Sequence, residues 1–132
     1  MSLDVKPDLL ERANRGDINE ADFVACVRAS LPYAWQTIGG LVSELRSVGG
    51  ERPFVDNEVP PPSEEARGQL LRALASDAIR GALERHFGVA LAFQNCHRVA
   101  VFRPEDTAGD TYRVFVSPRA QLLNQSPELR DC

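Results

Sequence analysis

The stretch from Ser63 to Gly88, "SEEARGQLLRALASDAIRGALERHFG", constrains the fold more than any other part of the chain. Leu70, Leu71, Leu74, Ala75, Ala78, Ile79, Ala82 and Leu83 recur at helical spacing and make a broad apolar face. Ser63 fits an N-cap, and Glu64 and Glu65 complement the positive end of the helix dipole. Gly88 suits the left-handed position just past the last turn, where Val89 can fold back on Leu83. The pattern predicts one long central helix over 64–87, against which the rest of the chain packs. Ala75, Ala78, Gly81 and Ala82 are small and nearly in line, which would let a neighbouring helix, or a second copy of the chain, approach closely.

The residues before this helix are also helical in pattern. "PDLLERANR" (7–15) reads as a short helix with Pro7 in its first turn, ended by Gly16. Asn19 fits the N-cap of a second helix, with Glu20 and Asp22 in its first turn and Phe23, Val24, Val27 and Leu31 along one stripe. Pro32 either kinks that helix or opens a new one. Trp35, Ile38, Val42 and Leu45 then carry helical spacing across Gly39-Gly40, a pair best explained by the close approach of another backbone. Residues 48–62, "VGGERPFVDNEVPPP", read as a linker stiffened by three prolines, with Phe54 and Val55 tacking it to the core.

Past Gly88 the period changes from helical to two. "VALAF" and "HRVAVF" are strand-like around a break at Gln94-Asn95. "RPEDTAGD" reads as a turn and "TYRVFV" (111–116) as the returning strand of an antiparallel hairpin. Ser117-Pro118 opens a short helix through Leu123, and Ser126-Pro127 a last turn. The expected architecture is a single α+β domain over 1–132, with three or four helices on a small antiparallel hairpin or sheet near the C-terminus. No internal repeat or low-complexity tract interrupts it.

Composition narrows the function classes. The net charge of −4 supplies no global attraction to nucleic acid or anionic membranes. No apolar run is long enough to span a bilayer. The N-terminal stretch lacks the apolar segment of a secretory signal. Cys26, Cys96 and Cys132 are too widely spaced for a disulfide framework, so a reducing cytoplasm is expected. Lys6 is the only lysine against fourteen arginines, a bias that a GC-rich genome explains without any arginine-specific role.

Two constellations invite a chemical reading. Cys96 and His97, with His86 at the preceding helix end, place a thiol beside imidazoles. Adjacent strand residues point to opposite faces, so Cys96 would need His86 or another distant group as its base. The spacings that hold a zinc ion are missing, so no metal is expected, and a buried inert thiol is the simpler reading. The second constellation is one face of the expected hairpin. Val99, Val101, Tyr112, Val114 and Val116 should face the helices, leaving Arg98, Phe102, Arg113 and Phe115 on the other side. Arginines interleaved with phenylalanines suit cover by the chain's own C-terminal segment first, a protein partner second, and stacked bases last. The tail's Asn124, Gln125, Ser126 and Cys132 are better explained by turns, caps and an incidental thiol.

The stretches "LPYAWQ", "RGQLLRALASDAIRGALERHFGV", "LAFQNCHRVAVF" and "QLLNQSPELRDC" resemble an uncharacterised family of small actinomycete proteins. The resemblance covers almost the whole chain. It implies lineage and a cytoplasmic setting, and transfers no catalytic or binding residue, since the family has no assigned activity.

The sequence thus points to a non-enzymatic binding or regulatory protein, acting through a protein partner or self-association. Arg98, Phe102, Arg113 and Phe115 are its first candidate surface, and no cofactor is implied. The alternatives are a small-ligand sensor or enzyme using Cys96 with His86 or His97 between long helix and hairpin, and a nucleic-acid accessory protein using the Arg/Phe face.

Overall fold

The computed structural model describes residues 2–94 and 98–123. Three helices come first: α1 (Pro7–Asn14), α2 (Glu20–Ser30) and α3 (Pro32–Ser47). Asn19 caps α2 by accepting a hydrogen bond from the Asp22 N–H at 2.9 Å, as its sequence position suggests. Leu31, in a non-helical conformation, both ends α2 and precedes α3, so Pro32 opens a new helix instead of kinking the old one. No side chain of its own caps α3. The buried Gln69 does so from a distance, its Oε1 accepting from the N–H groups of Tyr33 (2.6 Å) and Ala34 (3.2 Å). Gly39 and Gly40 lie inside an unbroken α3. A Cβ at Gly39 would make only ordinary contact with the Phe87 ring at 3.8 Å, and none at Gly40 would meet anything. The close backbone approach expected there is not what these glycines provide.

The expected long helix is two. Ser63 caps α4 (Glu64–Ala75), and Ser76 breaks the run with an extended backbone and caps α5 (Asp77–Phe87), accepting from the Ile79 N–H at 3.3 Å. The Ser-acid signature that opens α4 simply recurs at Ser76-Asp77. Arg80 braces the joint, paired with Asp77 at 2.8 Å and donating to the Leu74 carbonyl at 3.3 Å. Gly88 closes α5 in the left-handed region, with φ +68°. Ala75 and Ala78 are exposed while Ala82 is buried, so only one end of the small-residue stripe is packed within this chain.

Three short strands form an antiparallel sheet: β1 (Phe54–Asp56), β2 (Ala90–Phe93) and β3 (Val99–Phe102), in the order β1-β3-β2. Phe102 registers with Phe54 on one side and Ala90 on the other, and Val101 with Val55 and Leu91. Thus "VALAF" and "HRVAVF" pair with each other, closing where the Gln94 N–H donates to the Arg98 carbonyl at 3.1 Å. The edge expected for a returning strand is taken by β1, out of the linker. Residues 111–116 are not a strand. After a 3-10 turn (Pro104–Ala108), 111–115 belong to α6 (Asp110–Phe115) and Val116 is its C-cap, followed by α7 (Pro118–Leu123). Tyr112 and Phe115 stand three apart, and helical spacing turns both towards the sheet, which a six-residue alternation conceals.

The sheet is covered on both faces. Val55, Leu91, Val99 and Val101 join the main core with Leu31, Ile38, Leu45, Leu70, Ile79 and Leu83 from the helices. Ala92, Ala100 and Phe102 form a second cluster with Phe115, bordered by Phe54, Ala90 and Tyr112. Arg103 locks the end of β3 to α3, its guanidinium donating to the carbonyls of Leu45 (3.0 Å), Val48 (3.1 Å) and Arg52 (2.5 Å).

Candidate functional site

Among the four surface residues expected from sequence, two are interior. Phe102 is fully buried and Phe115 is 6% exposed. Phe102 stacks on Phe54 at 4.8 Å and takes Tyr112 and Phe115 edge-on at 5.0 and 5.6 Å. Fully burying one such side chain stabilises the fold by roughly 1.5–3 kcal/mol. The second face of the sheet is therefore covered by the chain itself, by α6 and by Phe54 from the linker, and no aromatic platform is left there for a partner.

Arg98 is drawn into the same structure. Its guanidinium pairs with Asp56 at 2.6 Å, donates to Gln94 Oε1 at 2.7 Å, and lies 5.5 Å from the centre of the Phe115 ring. Gln94, itself buried, donates in turn to the Phe115 carbonyl at 3.1 Å and so satisfies the end of α6. One network thus joins β1, β2, β3 and α6. Arg113 alone of the four remains outside, highly exposed and paired with Asp110 at 2.8 Å. Tyr112, Val114 and Val116 do not line the helix-facing side of the sheet as expected. Tyr112 joins the other face, while Val114, on the outer side of α6, and Val116, at its C-cap, are exposed.

The thiol–imidazole reading divides. Cys96 and His97 lie outside the described residues, as does the tail from Asn124 to Cys132. His86 is described, and it packs on Trp35 at 5.0 Å and Phe87 at 4.8 Å. A groove does run between the helices and the hairpin, lined by Leu74, Arg80, Glu84, Leu91, Phe93 and Tyr112, and His86 is not part of it. Its charged groups are engaged within the chain: Glu84 accepts from the Leu91 N–H of edge strand β2 at 2.9 Å, and Arg80 is held by Asp77. Among the described residues, no cluster of three His, Cys, Asp or Glu could hold a metal ion. No described helix is long and apolar enough to cross a membrane.

Among the described residues, one open apolar surface lies on the outer side of the C-terminal helices. Val114 is 61% exposed, Leu122 78% and Leu123 64%. A shallow concavity there is lined by Arg113, Val114, Ser117, Arg119, Ala120 and Leu123. Sequence reasoning missed this surface because it assigned 111–116 to a strand and turned Val114 inward.

A family model described as "NucS shadow ORF" matches residues 1–132. The chain belongs to the NucS shadow ORF family. That description names no activity. Comparison with curated proteins gives no match. Comparison with solved structures gives none either. In this member of the NucS shadow ORF family the functional reading therefore rests on the surface just described.

Proposed function

We propose that this chain is a non-enzymatic binding protein whose docking surface is the outer side of α6 and α7. The observation that carries the reading is the exposure of Val114, Leu122 and Leu123 on consecutive short helices. Neighbouring exposed apolar side chains with a polar rim are the usual mark of a protein contact. The partner that fits is another protein presenting apolar side chains with a carboxylate for Arg119, since Arg113, also at the rim, already pairs with Asp110. A second copy fits less well: two-fold contact through this patch would bring the same arginines together. Nucleic acid is supported less still. Arg98, Phe102 and Phe115 are committed to the fold, and the net charge is −4. No Gly-x-x-Gly loop of the kind that clamps an RNA backbone occurs anywhere in this chain.

A cytoplasmic setting belongs to the same proposal, supported by the free, part-exposed thiol of Cys26. An actinomycete origin is supported by the arginine bias alone. The test joins affinity capture from the native cell with a size measurement on the pure protein. A monomer that recovers a protein partner is expected. A monomer that recovers none removes the reading, and a concentration-dependent dimer replaces the foreign partner with a second copy.

A further inference from the structure

A second concavity, away from α6 and α7, is lined by Glu20, Ala21, Val24, Arg28, Trp35 and His86. Ala21, Val24 and Arg28 fall on one stripe of α2, so small side chains make a flat apolar floor with a guanidinium at its far end. The Trp35 ring forms the wall. Its ring centre lies 5.0 Å from those of both His86 and Phe87, each tilted against it.

The charges of this groove do not cancel. Glu20 is its one carboxylate, and it is taken by Arg85, whose Nε donates at 2.7 Å. That hydrogen bond holds the Glu20 carboxyl below its ordinary range and keeps it ionised and occupied. Arg28 has no carboxylate partner among the described residues; its guanidinium carbon lies 5.3 Å from the Trp35 ring centre. A planar donor fork therefore stands unspent over an aromatic ring, beside an imidazole and an apolar floor.

We infer that this groove binds a small monocarboxylate with a flat apolar body, such as an aryl acid. The guanidinium edge matches one carboxylate in two-point fashion. The apolar body is matched by the alanine and valine floor and the indole wall. A phosphate is a poorer fit, because only one strong donor fork is present and the floor offers nothing polar.

Trp35 is the only tryptophan in the chain, so its emission reports on this groove without a label. Titration of the full-length protein with sodium phenylacetate should change that emission saturably, with a Kd of about 1 mM. Neutral phenylacetamide should produce no saturable change. Arg28→Gln should weaken the phenylacetate response by about tenfold with unchanged far-ultraviolet circular dichroism, since Arg28 is exposed. Arg28→Lys, which keeps charge but loses the fork, should fall between. The inference is overturned by a linear, non-saturating response, by equal responses to acid and amide, or by an Arg28→Gln protein that folds and binds phenylacetate as the wild type does.

Discussion

Arg98 shows how a residue changes meaning once its neighbours are known. In sequence it is a cation at the mouth of a strand, free to meet a partner. In the fold it is shared among Asp56, Gln94 and the Phe115 ring, and 42 residues separate it from its carboxylate. No local spacing could reveal that pairing, because it depends on β1 leaving the linker to join the sheet. Arg98→Met would strand a half-buried carboxylate and an amide oxygen, and should cost about 1–3 kcal/mol of stability. Chemical denaturation measures this, and an unchanged midpoint would return Arg98 to the free surface. Gly40 makes the opposite case. It sits inside α3, exposed, with nothing near a built Cβ. Gly40→Ala should therefore stabilise the protein by about 0.5–1 kcal/mol, read as a melting temperature higher by about 2–5 °C.

At the scale of elements, what was legible was whatever a short window of chain decides by itself. Asn19 and Ser63 cap helices where their chemistry places them, and Gly88 ends α5 as its position suggests. The apolar stripe through Leu74 and Ile79 concealed the break between α4 and α5, since Ser76 interrupts the backbone without interrupting the face. Loss of the Ser76 hydroxyl should accordingly matter as an N-cap does: Ser76→Ala is expected to cost about 1 kcal/mol, whereas a serine inside a continuous exposed helix would gain from alanine. The sign of the shift in a urea midpoint separates the two. Residues 111–116 failed for a different reason. Alternation over six residues fits a strand or two helical turns equally, and the choice was made by β1 occupying the sheet edge. A three-residue strand such as Phe54–Asp56 has no sequence signal strong enough to announce that competition.

The whole molecule is a three-layer arrangement in which a small sheet separates the main helical core from α6. The α+β class follows from the change of period after Gly88, but the layer order does not, because α6 was invisible as a helix. Phe102 is the joint between layers, fully buried and in contact with three aromatic rings. Phe102→Ala should cost about 3–5 kcal/mol, a large share of the stability of a domain this size. A loss below about 1 kcal/mol in calorimetry would show that α6 does not seal the sheet. With the inner side of α6 committed to Phe102, the outer side of α6 and α7 stays exposed, and it is this side that we propose meets a partner. Val114 and Leu123 lie on that outer side and support no core packing. The most direct measurement pairs binding with folding in the double variant Val114→Asp/Leu123→Asp, set against the wild-type protein and the partner it captures. The expected result is a wild-type melting temperature together with at least about a tenfold loss of partner affinity; partner affinity unchanged in the folded double variant would contradict the account.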